Sequence, residues 1–545
     1  MFRGDTVEGL LALLAIVTAV NLVPLSAAGQ VMNTLIHPSI VTQTEPIAAI
    51  HPENPDFIFA SARTINTTSG FNSEGVYVST DGGLTWSGSD SCTGELLVNH
   101  GGDPGVIVQP DGRLILTHIG SVFPGLFSHY STNDGATWSS AVTVASGQPE
   151  DKGSTTSDSY ASSPYYGRGY SALVNLVVPY PVLFSSTTNG GQTWSAAQSI
   201  NNPPPARCSG SSIAVGRSGT IFVAWAGMTA TSPFVEDFVG YASSTNAGAN
   251  WTVSQNIFDV SGINGTLPSK ANIRVNGLPQ IAVDNSGGVR DGWVYIVTTE
   301  VNLLPAGTDP DIVLRVSTDG GSSWSGGIRA NRDPVSNGKI QYFPAIDVDA
   351  GGGVNILFYD DRNTSSDSAE VWLARSTDGG TTWSEQVVSD HRFQPKPVAG
   401  GSSNYQGDHI ALISSGTMLH AFWMDDFPGI YQIWHAIVDV STGIDETGAG
   451  GNQDLEWSIH VFPNPFNPNT EIFFDIPIGL SQVEGFSSLK IYDLLGREVA
   501  TLVEGKLLPG SHKSRWNAAG HPSGVYIARL QAGARSAHAK LLLIR

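Results

Sequence analysis

The chain has 545 residues and a formal net charge of −21, with 27 Lys and Arg against 48 Asp and Glu. So few cations exclude a phosphate-neutralising surface, and no nucleic-acid partner is expected. The length admits a large core and more than one domain, and 62 Gly with 31 Pro suit many turns between short strands.

Residues 1–29 read as a secretory signal. Positions 10–20 are mostly apolar, Pro24 breaks the stretch that follows, and Ser26-Ala27-Ala28 offers a small-residue cleavage site. That run is shorter than the roughly 20 residues a membrane span needs, and no later segment qualifies, so no transmembrane span is expected.

From about residue 36 one pattern recurs, Ser/Thr-x-Asp/Asn-x-Gly-x-Thr/Ser/Asn-Trp, with copies ending at Trp86, Trp138, Trp194, Trp251, Trp324 and Trp383. Its key acceptors are Asp81, Asn133, Asn189, Asn246, Asp319 and Asp378. An Asp or Asn there accepts hydrogen bonds from its own turn. The Gly three residues before the Trp supplies a backbone angle other residues resist. The Trp buries a large ring beside the strands the turn joins. Calcium is conceivable but unsupported, because half the acceptors are neutral amides and one box brings too few oxygens for a shell of about six to eight. No cofactor or metal is expected.

Between boxes the order repeats: an apolar strand, a Gly turn, a second strand, a third leading into the box and a short fourth. In the sixth unit these are 343–349, 354–359, 371–376 and 385–388, and the alternation in 371–375 suggests a half-buried strand. The long interval before Trp324 holds an inserted loop over 258–276. A seventh unit without a box follows at 408–414, 417–424 and 431–438. Residues 39–43 are expected to supply its fourth strand and close a ring, removing the exposed edges of an open array. Cys92 and Cys208 lie in different repeats. A disulfide and two buried thiols are both open, and no Cys/His cluster has zinc spacing.

Residues 441–455 form a Gly-rich, acidic linker. The segment 456–545 changes character, carrying the runs Asn464-Pro465-Phe466-Asn467-Pro468 and Tyr492-Asp493-Leu494-Leu495-Gly496-Arg497-Glu498-Val499. From the residues alone it is a small antiparallel β domain of about seven strands.

The boxes resemble the Asp-box, or bacterial neuraminidase repeat, of sialidase-like β-propellers. The resemblance covers roughly residues 36–445 and implies four-stranded blades with each box between the third and fourth strands. The C-terminal runs resemble the type A sorting domain of the type IX secretion system. That likeness implies an Ig-like sandwich, a partner in the secretion machinery, and a product secreted or attached to the outer surface after periplasmic transit. The expected fold is therefore all-β: a propeller over 30–440 with seven blades, or six as in sialidases, then the linker and a small Ig-like sandwich.

Loops entering first strands and leaving second strands converge at the end away from the boxes. They bring Glu45, Arg63, Asp103, Lys152, Glu300, Asp360, Arg362, Tyr405, Asp408, His409 and Asp425 toward one face, and Arg63, Arg274 and Arg362 are a candidate arginine trio. Asp360, Asp408 and Asp425 are the candidate catalytic carboxylates of a glycoside hydrolase. Arg362, Tyr405, His409, Glu300, Asp103 and Lys152 are the candidate substrate-binding groups. Trp225, Tyr342, Tyr359 and Tyr405 are candidate sugar-stacking faces. For Asp360-Asp361-Arg362 an inter-blade ion pair is an equal alternative. Sialidases place an Arg-Ile-Pro motif ahead of the first box. Here the matching stretch is Glu45-Pro46-Ile47, and Glu45 would repel a sialic acid carboxylate. The expected ligand is a glycan, bound or hydrolysed. The alternative is a non-catalytic adhesin or scaffold that binds a surface protein.

Overall fold

A computed structural model describes residues 31–545, apart from 32, 67, 93–99, 122, 149, 400–403, 442, 445–458, 477–486, 508–509 and 533–534. The signal segment and nearly all of the expected linker lie outside the described residues.

Among the described residues six four-stranded antiparallel sheets follow one another in simple up-and-down order. The first is Thr42–Ile50, Ile58–Asn66, Phe71–Ser79 and Ser87–Ser89. The sixth is Gln341–Val348, Val354–Asp360, Glu370–Ser376 and Ser384–Val387, within two residues of the sequence expectation. A seventh sheet is composite. Ala411–Ser415, Met418–Asp425 and Gln432–Asp439 come from the end of the repeats, and Asn33–Leu35 pairs with the last of them. The first strand of each sheet packs on the first strand of the next, and that of the seventh packs on that of the first, so the array closes.

The closing strand corrects the expectation of 39–43. Gln43 already belongs to the innermost strand of the first sheet, and the chain crosses between the two sheets at 36–41. Gln43 and Gln432 stitch this crossing. Gln432 Nε2 donates to the Val41 carbonyl at 2.7 Å, and the Ile433 amide donates to Gln43 Oε1 at 3.1 Å.

Middle strands are buried on both faces. Every residue of Ile221–Met228, Val294–Glu300 and Val354–Asp360 is buried. This also corrects the half-buried reading of 371–375: Val371, Trp372, Leu373 and Ala374 are all buried, because each sheet is flanked by a neighbour on either side.

Each box is the turn between third and fourth strands, and its chemistry is local. Ser79 Oγ accepts from the Gly83 amide and donates to Asp81 Oδ1, each at 2.8 Å. Asp81 accepts from the Thr85 amide at 2.9 Å and from the Thr85 hydroxyl at 2.5 Å. Where the acceptor is Asn the last bond reverses: Asn133 Nδ2 donates to Thr137 Oγ1 at 3.0 Å. Either residue therefore closes the turn. Gly82 and Gly83 take φ of 70° and 85°, two successive left-handed residues. The indoles reach back to the preceding sheet. Trp138 meets Phe59 at 5.5 Å between ring centroids, Trp251 meets Phe184 at 5.0 Å and Trp324 meets Tyr241 at 5.5 Å. Trp86 packs edge-on against Phe422 and His435 of the seventh sheet, across the closure. Trp194 donates to Ser128 Oγ at 2.9 Å, and Trp383 joins Leu314 and Val316 in one apolar cluster. Cys92 and Cys208 are both buried free thiols.

The inserted loop after the fourth sheet forms a small hairpin, Gly265–Leu267 with Ile273–Val275. Lys270 at its tip is buried, and its Nζ meets Asp361 Oδ2 at 2.8 Å and the Ser368 carbonyl at 2.9 Å.

The C-terminal segment forms two antiparallel sheets. One has Ile459–Phe462, Asn469–Ile476 and Gly510–Asn517. The other has Glu498–Gly505, Ser487–Asp493, Gly524–Ala532 and Arg535–Leu543. Its two sequence signatures serve this fold. Asn464 brackets the last strand, donating to the Lys540 carbonyl and accepting from the Leu542 amide, both at 2.7 Å, while Phe466 packs on Trp516. Asp493 accepts from the Leu495 and Arg497 amides and closes the Leu-Leu-Gly-Arg turn.

Candidate functional site

The end of the sheets opposite the boxes is rich in buried charge, and the ladder explains where it sits. The second strands of the fifth, sixth and seventh sheets each finish on a carboxylate: Glu300, Asp360 and Asp425. All three are fully buried, and each has its own cation or donor set.

Glu300 faces Arg315 from the adjacent strand through the two terminal guanidinium nitrogens, and accepts from Thr298 Oγ1 at 2.6 Å. Asp360 accepts from the Arg362 amide and from Arg362 Nε, both at 2.7 Å. Arg362 also grips Glu385 with two bonds of 2.8 Å and lies 4.2 Å over the Trp372 ring. Burial pushes the Asp360 carboxyl up to about 6, despite the Arg362 charge beside it. Asp425 accepts from the indoles of Trp423 and Trp434 at 2.8 Å, from the Phe427 amide at 3.0 Å and from His391 Nε2 at 2.9 Å. Burial works against a charged His391, yet Asp425 and Asp390 hold its imidazole protonated, with the pKa pushed up to about 10. These three acids are consumed in holding the sheets.

A different group stands where the first, second and seventh sheets meet. The innermost strands of the first and second sheets each shift register, between Thr44 and Ile47 and between Gly102 and Gly105. Glu45 and Asp103 occupy the extra positions with φ of 56° and 54°, and the Asp103 amide donates to Glu45 Oε2 at 3.2 Å. On the adjacent strands Arg63 pairs in register with Glu74. Arg63 lies 4.7 Å over the ring of Tyr405, and Arg274 of the inserted hairpin lies 5.3 Å from the same ring. The Tyr405 hydroxyl meets Thr44 Oγ1 at 2.8 Å. Arg274 closes on Asp408 with Nε at 3.2 Å from Oδ1 and Nη2 against Oδ2. Glycine is required here twice: a Cβ on Gly102 would lie 2.8 Å from Arg63 Cδ, and one on Gly407 would run into Met424.

Four carboxylates thus surround two guanidinium groups. Burial, with Asp408 adding to it, raises the Glu45 carboxyl even though Arg63 opposes it. Burial lifts Glu74 well above the ordinary range, even though Arg63 opposes it. Burial also raises Tyr405, reinforced by Glu45. Solvent reaches the group through Arg274, 40% exposed, and Asp408, 21% exposed. A cleft of about 310 Å³ between the first two sheets lies at the box end instead, among Val76, Ser89 and Gly135, and gathers no such chemistry.

Of the expected site residues, Asp103, Tyr405 and Asp408 come together in this group. His409 is the half-buried neighbour of Asp408. Lys152 is placed by its backbone, in Glu150–Ser157 of the third sheet. Asp360, Arg362, Glu300 and Asp425 are held apart in the buried pairs. Trp225, Tyr342, Tyr359 and Tyr405 are all buried and offer no open stacking face, a correction to that expectation. Glu45 and Arg63 stand at this face as expected, Arg63 and Arg274 meet there without Arg362, and Glu74 is the member the expectation lacked. Glu45 is the residue standing at the position of the sialidase Arg, which was the signal available for it.

Residues 460–544 match the family model described as a secretion system C-terminal sorting domain, and residues 77–87 match that of the BNR/Asp-box repeat. No curated protein sequence matches the chain. Among solved structures, a protein of unknown function from Dyadobacter fermentans is similar over 75% of this chain and 98% of its own, with 13% identity and a TM-score of 0.43. A polysaccharide lyase, an ulvan lyase, is similar over 78% and 99%, with 11% identity and a TM-score of 0.48. A Hadza microbial sialidase is similar over 72% and 76%, with 14% identity and a TM-score of 0.38. At these values none carries an argument about activity. The C-terminal match marks a secreted or outer-surface protein, and among the described residues no helix is long and apolar enough to cross a membrane.

Proposed function

We propose that this Asp-box protein with a secretion-system sorting domain is a seven-bladed propeller that recognises a glycan at the mouth formed by its first, second and seventh blades. In this reading residues 1–29 are the export signal, 30–440 the propeller, 441–455 the linker and 456–545 an Ig-like sorting sandwich. The observation that carries it is the Arg274–Asp408 pair standing over Tyr405 and Arg63. Planar charged groups of both signs, partly open to water and fixed from below, suit paired sugar hydroxyls, which donate to a carboxylate and accept from a guanidinium. The carboxylate excess and Glu45 argue against a sialic acid ligand.

A second reading, glycoside cleavage at the same mouth, has one specific support. Glu45 is a carboxyl raised by burial next to Tyr405, the kind of split environment that separates an acid from its partner. The buried pairs at Asp360 and Asp425 favour recognition over cleavage by those two acids.

A glycan array with the secreted chain, run beside an aryl-glycoside panel that includes sialosides, tests both. Recognition predicts a glycan signal lost at least tenfold in Arg274→Ala and Asp408→Asn, with circular dichroism unchanged. Turnover of an aryl glycoside abolished by Glu45→Gln would establish cleavage. Binding untouched by Arg274→Ala, or turnover of sialosides, would overturn the proposal.

A further inference from the structure

The second sheet holds three buried histidines that the glycan mouth does not use. His100 comes from the first strand, His118 from the second and His129 from the third, and they are 2%, 5% and 1% exposed. One ring nitrogen from each lies within 4.8 Å of the others. Their sequence spacing is that of three strands, with none of the short intervals of a zinc loop, so the sequence alone conceals the group.

The tautomers make it chemically unusual. His118 Nδ1 lies 2.9 Å from the Ile119 carbonyl, and His129 Nδ1 lies 2.9 Å from the Ser139 carbonyl. A carbonyl oxygen only accepts, so both Nδ1 atoms carry the proton. Both Nε2 atoms are then bare lone pairs, yet they face each other at 3.2 Å. No hydrogen is left to place between them. His100 stacks on His118 at 3.6 Å, and neither of its nitrogens has a hydrogen-bond partner. Buried polar atoms left this way call for a missing ion or water. The pair His420 and His435 is the internal contrast: there Nδ1 meets Nε2 at 3.0 Å, an ordinary donor and acceptor.

We propose that His100, His118 and His129 bind a divalent late first-row cation of the zinc class as a structural clip across three strands of the second sheet. In a tetrahedral site with Zn–N of about 2.0–2.1 Å the nitrogens stand about 3.3 Å apart, close to the His118–His129 separation already present. Nδ1–H bonded to a backbone carbonyl is the outer support metal-bound imidazoles generally have, and it fixes Nε2 as the ligand atom. His100 completes the set by turning its ring out of the stack. Imidazole ligands select zinc, copper or nickel over magnesium or calcium. Among the described residues no Cys, Asp or Glu joins the three, and an exogenous ligand fills the fourth position.

The test uses the full chain, purified without a histidine tag, stripped with EDTA and dialysed against zinc. Elemental analysis should find a single equivalent of zinc retained in the wild type and in His420→Ala, and none in His118→Ala or His129→Ala. Cobalt(II) should give the intense visible bands of a tetrahedral nitrogen site, and zinc should raise the melting temperature of the wild type. Zinc retention in the wild type no higher than in His118→Ala, or retention that follows His420, would overturn the proposal. Should the variants fail to fold, the wild type decides: no zinc-dependent melting shift together with no tetrahedral cobalt spectrum would refute it.

Discussion

Asp378 and Asp360 sit at opposite ends of the sixth sheet and are held in opposite ways. Asp378 is exposed and bound entirely by its own loop, through Ser376, Thr381 and Thr382. Burial is the largest single influence and pulls the other way, yet those bonds together bring its carboxyl down to about 2. Asp360 is fully buried, and burial brings its carboxyl up to about 6 against Arg362. The box end repeats a short-range turn from sheet to sheet, here with the largely buried Arg375–Asp349 pair beside it. The other end is made of buried ion pairs that do not repeat, in which Arg362 ties Asp360, two residues away, to Glu385 of the fourth strand. The first kind of carboxylate fixes local geometry, and the second holds neighbouring strands and loops together at a desolvation cost.

The sharpest way to break this picture is at the ring closure. Deleting residues 31–36 removes the strand Asn33–Leu35 and bares the edge of Gln432–Asp439, with Trp434 and Ala436 on it. The expected outcome is loss of the single cooperative unfolding transition in a urea titration, with aggregation at the open edge. A deletion variant that unfolds like the wild type would show that the seventh sheet does not depend on its borrowed strand.

Next in size is Arg362→Ala. It strands Asp360 and Glu385, both buried, without their cation. Removing one partner of a buried pair costs about 3–5 kcal/mol, read as a shift in the urea midpoint. A loss under about 1 kcal/mol, the size of a surface pair, would mean that water reaches this network and that the contrast between the two ends is overstated.

The box end can be graded internally. Trp383 is 9% exposed whereas Trp251 is half-buried. Trp383→Ala should cost about 3–5 kcal/mol, the range for emptying a buried aromatic site, and Trp251→Ala distinctly less. Equal losses would tie the cost to the turn and not to the ring filling the gap between sheets.

What the sequence disclosed follows the same division. Every contact inside a box spans four residues or fewer, so the pattern at Asp81, Asn133 or Asp378 carried its geometry in plain view. The six indoles then gave the sheet count up to the closing unit. The polar end was legible only in composition. Carboxylates at Glu300, Asp360 and Asp425 were visible, and so was Arg362 two residues from Asp360, but the partners Arg315, Glu385 and His391 depend on which strands and loops become neighbours. Arg274 is 134 residues from Asp408, and no spacing rule joins them. The closing strand was misplaced by a few residues for a related reason: 33–35 and 39–43 are both short extended stretches, and pairing across almost the whole chain decided between them.

The smallest expected effect is the most direct test of the comparison, because it changes one atom at each end. Asp378→Asn converts the box to the form already present at Asn133, where the amide donates to the threonine hydroxyl. At pH 7 the change in stability should stay within about 0.5 kcal/mol, as for other surface substitutions. Its signature is in acid. A carboxyl held near 2 when folded and at 3.8 otherwise stabilises above pH 3.8, and that contribution fades as the pH falls toward 2. The Asn variant should therefore lose less stability than the wild type across that window. Asp360→Asn should act in a different window and with the opposite sign. A carboxyl raised to about 6 contributes fully below 3.8 and loses that contribution as the pH rises through 6. Its replacement should flatten the decline between those values and leave the acid limb alone. Stability curves from pH 2 to 8 for the two variants separate the ends of the sheet. Superimposable curves would mean that the two carboxylates are held by the same physics after all.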